Sequence, residues 1–124
     1  MDRKRYGEVT EGAERDVGFY LTDNFSMLPF ISAVEPLRIA NRMSGRPLYQ
    51  WSIITRDGRR TVATNGMVLD AHYSIADAPE FSMLFVSGPH EPETFHHVPT
   101  LDWLSSRGKG CTFIGGLETG CHLL

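Results

Sequence analysis

A chain of 124 residues with 41% hydrophobic and 22% charged content has the length of one globular domain and enough apolar material for a core. Its formal net charge of −3, with the basic residues scattered, excludes a nucleic-acid-binding surface built from this segment itself. No run approaches the ~18 apolar residues of a membrane span, and no apolar h-region opens the chain. The two cysteines, Cys111 and Cys121, show no pairing pattern, so the expected setting is a reducing cytoplasm.

Residues 1–15 hold four acidic and four basic side chains, two glycines and no apolar periodicity, and are expected to be a flexible leader. The fold is expected over residues 16–124. Asp16-Val-Gly-Phe-Tyr-Leu21 is a compact strand signal ended by polar Thr22, Asp23 and Asn24. Ser26 is a candidate N-cap for a helix whose apolar stripe runs through Met27, Phe30, Ile31, Val34, Leu37, Ala40 and Met43. Pro29 suits the first turn, whereas Pro36 is expected to kink or restart the helix before its stop at Ser44-Gly45.

Residues 49–55 read as a strand, and Asp57-Gly58 as a turn. Residues 61–64 and 67–69 flank Asn65-Gly66, the strongest local hairpin signal in the chain. Residues 70–81 read as a polar connection, and 82–86 as a continuous apolar strand covered on both faces. A sharp loop follows at Ser87-Gly88-Pro89-His90. Pro99 suits the first position of a helix over 100–106, with Leu101 and Leu104 inward and Gly108 and Gly110 ending it. The last strand, 111–114, runs into Gly115-Gly116-Leu117-Glu118-Thr119-Gly120 and the start of a helix.

Strands alternating with helices, with one antiparallel hairpin, predict an α/β fold: a three-layer α-β-α sandwich on a mostly parallel open sheet. Ligands of such sheets bind beyond the carboxyl ends of the strands. Three loops are expected to converge there: 22–26, 87–90 and 115–120. The last has the strand–turn–helix layout of a nucleophile elbow, with Glu118 at the apex where a working elbow carries Ser or Cys.

With these elements in place, the chain resembles the N-terminal ligand-sensing domain of GlxA-like, AraC-type transcriptional regulators, a domain of the class I glutamine-amidotransferase-like (PfpI-type, flavodoxin-like) fold. The matching segments are Val17-Gly-Phe-Tyr-Leu21, Phe25-Ser-Met27, Ser32-Ala-Val-Glu-Pro-Leu-Arg-Ile-Ala-Asn-Arg-Met-Ser-Gly45, Tyr49-Gln-Trp51, Thr64-Asn-Gly66, Leu84-Phe-Val86 with Gly88, and Gly115-Gly-Leu-Glu-Thr-Gly120. The Glu-Pro-Leu-Arg run is specific; the elbow alone is less so. Catalytic relatives carry Cys where this chain has Glu118. The resemblance implies a non-catalytic sensor that is incomplete at its C-terminus, with its helix-turn-helix domain absent. It also implies a small nitrogenous effector, such as a quaternary amine or an amino acid, a homodimer, and DNA contact only through the absent domain. The alternative from another class is a PfpI-like hydrolase or amidase.

Candidate ligand contacts are Glu118, Thr119, Gly116, Phe25, Asn24, Glu35, Gly88 and His90. A helix N-terminus favours an anion, so Glu118 can be held by backbone N–H groups and meet a cationic ligand, with aromatic faces assisting. Cys121 lies three residues past the apex and cannot replace the missing thiol. The resemblance offers Glu35 as a match for the acidic first-helix residue that catalytic relatives set beside the nucleophile; a solvated helix-surface Glu paired with Arg38 is the equal alternative. Phe25 is expected on the rim; Trp51 and Trp103 are better read as packing residues. Arg56, Arg59 and Arg60 are better read as a solvated turn than as a phosphate site. The five histidines make no metal-ligand spacing, and neither metal nor cofactor is expected.

Overall fold

The computed structural model of the chain describes residues 15–111 and 113–124. The leader expected over 1–15 therefore lies outside the described residues, except that Arg15 opens the first strand. Thr112 also lies outside them.

Among the described residues, seven strands and two α-helices follow one another as β1 (Arg15–Leu21), α1 (Met27–Ser44), β2 (Tyr49–Thr55), β3 (Thr61–Val62), β4 (Val68–Leu69), β5 (Tyr73–Ser74), β6 (Met83–Ser87), α2 (Val98–Gly110) and β7 (Phe113–Leu117). A 3-10 turn at Pro92–Thr94 precedes α2, and another at Glu118–Leu123 follows β7. Five strands form one parallel sheet in the order β5-β2-β1-β6-β7. The chain winds outward from β1 in both directions, so the switch point lies at the carboxyl end of β1.

Alternation along the central strands builds two cores. Val17, Phe19 and Leu21 of β1 face α1, where Phe25, Phe30 and Trp51 join them. Tyr20 faces the other way, toward Leu84 and Val86 of β6, Ile54 of β2, Phe81 and Leu104 of α2. The expected α-β-α sandwich is the observed one. Burial of these side chains, each contributing about 1.5–3 kcal/mol, is what holds the layers together.

The α1 stripe is narrower than its spacing suggests. Met27, Phe30, Val34 and Leu37 pack inward, but Ile31 and Met43 stay exposed, at 38% and 81%. At 100° per residue Ile31 falls on the flank of a face centred on Phe30 and Leu37. Pro36 does not end the helix, which runs unbroken through all 18 residues. Its missing N–H removes the i→i−4 bond to the Ser32 carbonyl, and both residues are exposed, so that loss falls on the solvent side of the helix rather than in the core. Ser26 is the N-cap by position but makes no side-chain cap hydrogen bond.

Three other expectations change. The connection 70–81 contains β5, which pairs with β2 at Ile54 and Thr55. Asp77 builds the tight loop after it by accepting from the Ser74 backbone N–H and hydroxyl, which also holds the Asp77 carboxyl below its usual range. Helix α2 runs through Gly108 to Gly110, and the missing side chain at Gly108 lets Ile114 of β7 approach closely. The hairpin forms, but Asn65-Gly66 is not a two-residue turn. Gly66 donates to Ala63 O and alone of the pair has positive φ, 84°, so the connection is a three-residue turn with a glycine bulge.

Candidate functional site

The last strand is Phe113–Leu117 rather than 111–114, so Gly115 and Gly116 belong to the strand and the turn begins at Glu118. Glu118 has φ 52°, a left-handed conformation that an L-residue with a Cβ adopts at a cost. The apex expected at Glu118 is thus present as a strained turn, followed by a 3-10 turn in place of an α-helix.

Close backbone approach holds the turn in place. A Cβ on Gly120 would strike the carbonyl of Val86, and one on Gly116 would strike the backbone and Sγ of Cys121. Glycine is the only residue that fits at either position. The Thr119 hydroxyl donates to Pro89 O at 2.9 Å, and the Gly88 backbone lies directly against the Thr119 carbonyl. On the other side of β6, the Thr22 N–H and hydroxyl both reach Ser87 O, at 3.2 and 3.3 Å. The three predicted loops do meet at one rim.

The candidates divide accordingly. Gly88, Gly116, Glu118 and Thr119 come together at the elbow, with Glu118 exposed and Thr119 partly buried. His90 is exposed one residue beyond Pro89. Asn24 is exposed at φ 63° and donates its N–H to Val62 O, linking the first loop to the hairpin. Phe25 is a correction: its ring is fully buried against Phe30 at 6.1 Å, and its backbone bridges to Ala63. An aromatic this close to the core contributes more by packing than by meeting a ligand. Glu35 is also placed elsewhere. It lies eight residues along α1 from Met27, about 12 Å at 1.5 Å per residue, and pairs with Arg38.

Sequence reasoning missed a cleft of about 330 Å³ at the ends of β1, β2 and β6. Its walls include Leu21, Thr22, Asp23, Arg56, Arg60 and Pro89, and Tyr20 reaches it from below. Tyr20 is 1% exposed, and its hydroxyl meets Thr100 Oγ1 at 3.1 Å. Thr100 Oγ1 in turn meets His97 Nδ1 at 2.6 Å. Burial pushes the Tyr20 phenol up to about 12, against the opposing pull of the Thr100 hydrogen bond and the Arg56 charge. Trp103 packs on Tyr20 at 5.7 Å, and Trp51 lies in the opposite core, so both tryptophans are packing residues as expected. The sequence signal for the cleft was the cluster Arg56-Asp57 at the end of β2, which composition alone reads as a solvated turn.

Among the described residues no group of three or more His, Cys, Asp or Glu side chains stands close enough to hold a metal ion. No described helix is long and apolar enough to cross a membrane. Cys111 is half-buried, its thiol pushed up by that burial, and Cys121 is exposed.

No family model matches the chain. It is 40% identical over 113 residues to the HTH-type transcriptional regulator GbdR of Pseudomonas aeruginosa, covering 89% of this chain and 30% of that protein. It is 32% identical over 112 residues to the HTH-type transcriptional regulator GlxA of Rhizobium meliloti, covering 87% of this chain and 34% of that protein. The chain therefore spans about a third of the length of the curated relatives it matches. Among solved structures, an AraC family transcriptional regulator from Pseudomonas putida aligns with TM-score 0.67 at 30% identity, over 82% of this chain and 55% of that one. A ThiJ/PfpI domain protein from Brachyspira murdochii aligns with TM-score 0.71 over 91% of this chain and 64% of that one; at 9% identity it speaks for the fold alone. The chain is a homologue of GlxA-like, AraC-type HTH transcriptional regulators over about a third of their length, built on the ThiJ/PfpI fold.

Proposed function

We propose that this chain is the ligand-sensing part of an AraC-type transcriptional regulator, without catalytic activity, that binds a small nitrogenous metabolite at the rim of its sheet. The observation that carries the reading is the elbow. Its strained geometry persists at Glu118, φ 52°, yet its apex bears a carboxylate rather than a thiol. A carboxylate presented by a turn that neighbouring backbone holds rigid is suited to meeting a cation, and poorly suited to the acyl chemistry that a thiolate performs. Glu118 and Thr119 would contact the ligand, with Gly88, Gly116, His90 and Asn24 shaping the rim around them. The sensor would act as a homodimer whose geometry follows ligand occupancy and repositions DNA-binding motifs carried outside this segment.

The test is a thermal-shift titration of the chain with choline and with L-arginine, in the wild type and in Glu118→Gln. The expected result is a saturable rise in Tm for one of these amines that Glu118→Gln removes. No shift with either, or a shift unchanged in Glu118→Gln, defeats the reading. So does a hydrolytic activity that thiol reagents block and Cys121→Ala abolishes.

A further inference from the structure

The charged side chains around the cleft are not equally free. Asp23 Oδ1 accepts from the Thr61 hydroxyl at 2.9 Å and from the Val62 N–H at 3.2 Å, so it anchors the β3–β4 hairpin. Asp57 Oδ1 accepts from the Arg59 N–H at 3.0 Å and closes the turn after β2. Arg60 faces Asp70 at 3.5 Å across the base of the hairpin. Arg56 makes neither a hydrogen bond nor an ion pair among the described residues. The hydroxyl protons are committed as well: Thr22 donates to Ser87 O and Thr55 donates to Arg59 O at 2.8 Å. Besides the Oδ2 atoms of Asp23 and Asp57, what the cleft leaves over is the Arg56 guanidinium, the buried Tyr20 side chain and an apolar wall of Leu21, Pro89 and Phe95.

We propose that this cleft is a second small-molecule subsite, which takes the carboxylate of a compact ligand between Arg56 and the Tyr20 hydroxyl. A guanidinium presents paired N–H donors that match a carboxylate, and a phenol buried at the floor supplies a third, neutral donor. The Tyr20 proton becomes available when His97 carries its hydrogen on Nδ1. His97 then donates to Thr100, Thr100 donates to Tyr20, and the phenol O–H is free to point into the cleft. The volume suits a body of a few carbons against Leu21, Pro89 and Phe95. The subsite lies at the β1 switch point, on the β2 side of β6, whereas the Glu118 elbow lies on the β7 side. It shares with the sensor reading only the premise that this rim takes a small molecule.

Butyrate is the probe, with butyramide as its uncharged match and choline as a cation lacking a carboxylate. The readout is the Trp103 indole N–H resonance, because that ring packs on Tyr20. Butyrate should shift it saturably and butyramide should not at the same concentrations. Arg56→Gln should weaken butyrate at least tenfold, Tyr20→Phe roughly threefold to fivefold, and Glu118→Gln less than twofold. Equal butyrate affinity in Arg56→Gln, or loss of it in Glu118→Gln, overturns the proposal. If choline binds through Glu118 and butyrate does not bind, the carboxylate subsite fails while the sensor reading survives. If butyrate binds as described and neither choline nor L-arginine binds, the subsite stands and the Glu118 reading fails.

Discussion

The Thr119 hydroxyl donates to the Pro89 carbonyl at 2.9 Å, joining the elbow after β7 to the loop after β6 across 30 residues of chain. This bond and the packing of Gly88 against the Thr119 carbonyl keep the rim in one piece. Thr119→Val retains the shape and removes the donor. It should lower stability by about 1 kcal/mol and speed amide exchange at the elbow, with little effect in α1. Denaturant unfolding and hydrogen exchange check both parts; unchanged exchange at 117–121 would mean that packing alone holds the turn.

Gly120 supports that joint from beneath. With the Val86 carbonyl occupying the space of a side chain, Gly120→Ala should cost about 3 kcal/mol or more, because backbone rather than a movable side chain must give way. Gly110, at the end of α2, has open space around it, so Gly110→Ala is the control. It should be neutral or stabilising by about 0.5 kcal/mol. Similar midpoints for the two variants in urea would show that the Val86 carbonyl yields without cost.

At Glu118 stability and binding should part company. Glycine accepts positive φ without a Cβ penalty, so Glu118→Gly should stabilise the chain by up to about 1 kcal/mol while abolishing amine binding at the elbow. A thermal melt with and without choline or L-arginine tests the pair of effects. A destabilised Glu118→Gly would show that the carboxylate makes compensating contacts within the fold.

Tyr20 sets an alkaline limit. Burial raises its pKa from the ordinary phenol value of 10.0 to about 12, so above pH 10 the unfolded chain releases a proton that the folded chain retains. Its contribution is fully present below pH 10 and is lost as pH rises through 12. By linkage the loss amounts to about 2–3 kcal/mol. Denaturation of the wild type and Tyr20→Phe between pH 9 and 12 should give a steeper decline for the wild type; parallel curves would contradict a buried neutral phenol.

The alternation of strands and helices, the parallel sheet, the convergence of three loops and the unusual residue at the elbow were all legible in the chain. They follow from local patterns: apolar periods of two and near 3.6, glycine and proline punctuation, and the Gly115–Gly120 run. Whether a patterned residue faces the core or the rim is settled by packing between distant segments. Phe25 sits beside the rim in sequence, yet the bridge to Ala63 and the Phe30 ring draw it fully inside. The span from Tyr73 to Ser74 became a strand because β2 offered it an open edge, which no local propensity records. The same holds for the cleft. Tyr20, Arg56 and Thr100 are separated by 36 and 44 residues, and only the winding of β1, β2 and α2 around one sheet brings their charge and hydrogen bonds together. Composition identifies Arg56 as a charged turn residue; the engagement of its neighbours with one another is what leaves it free.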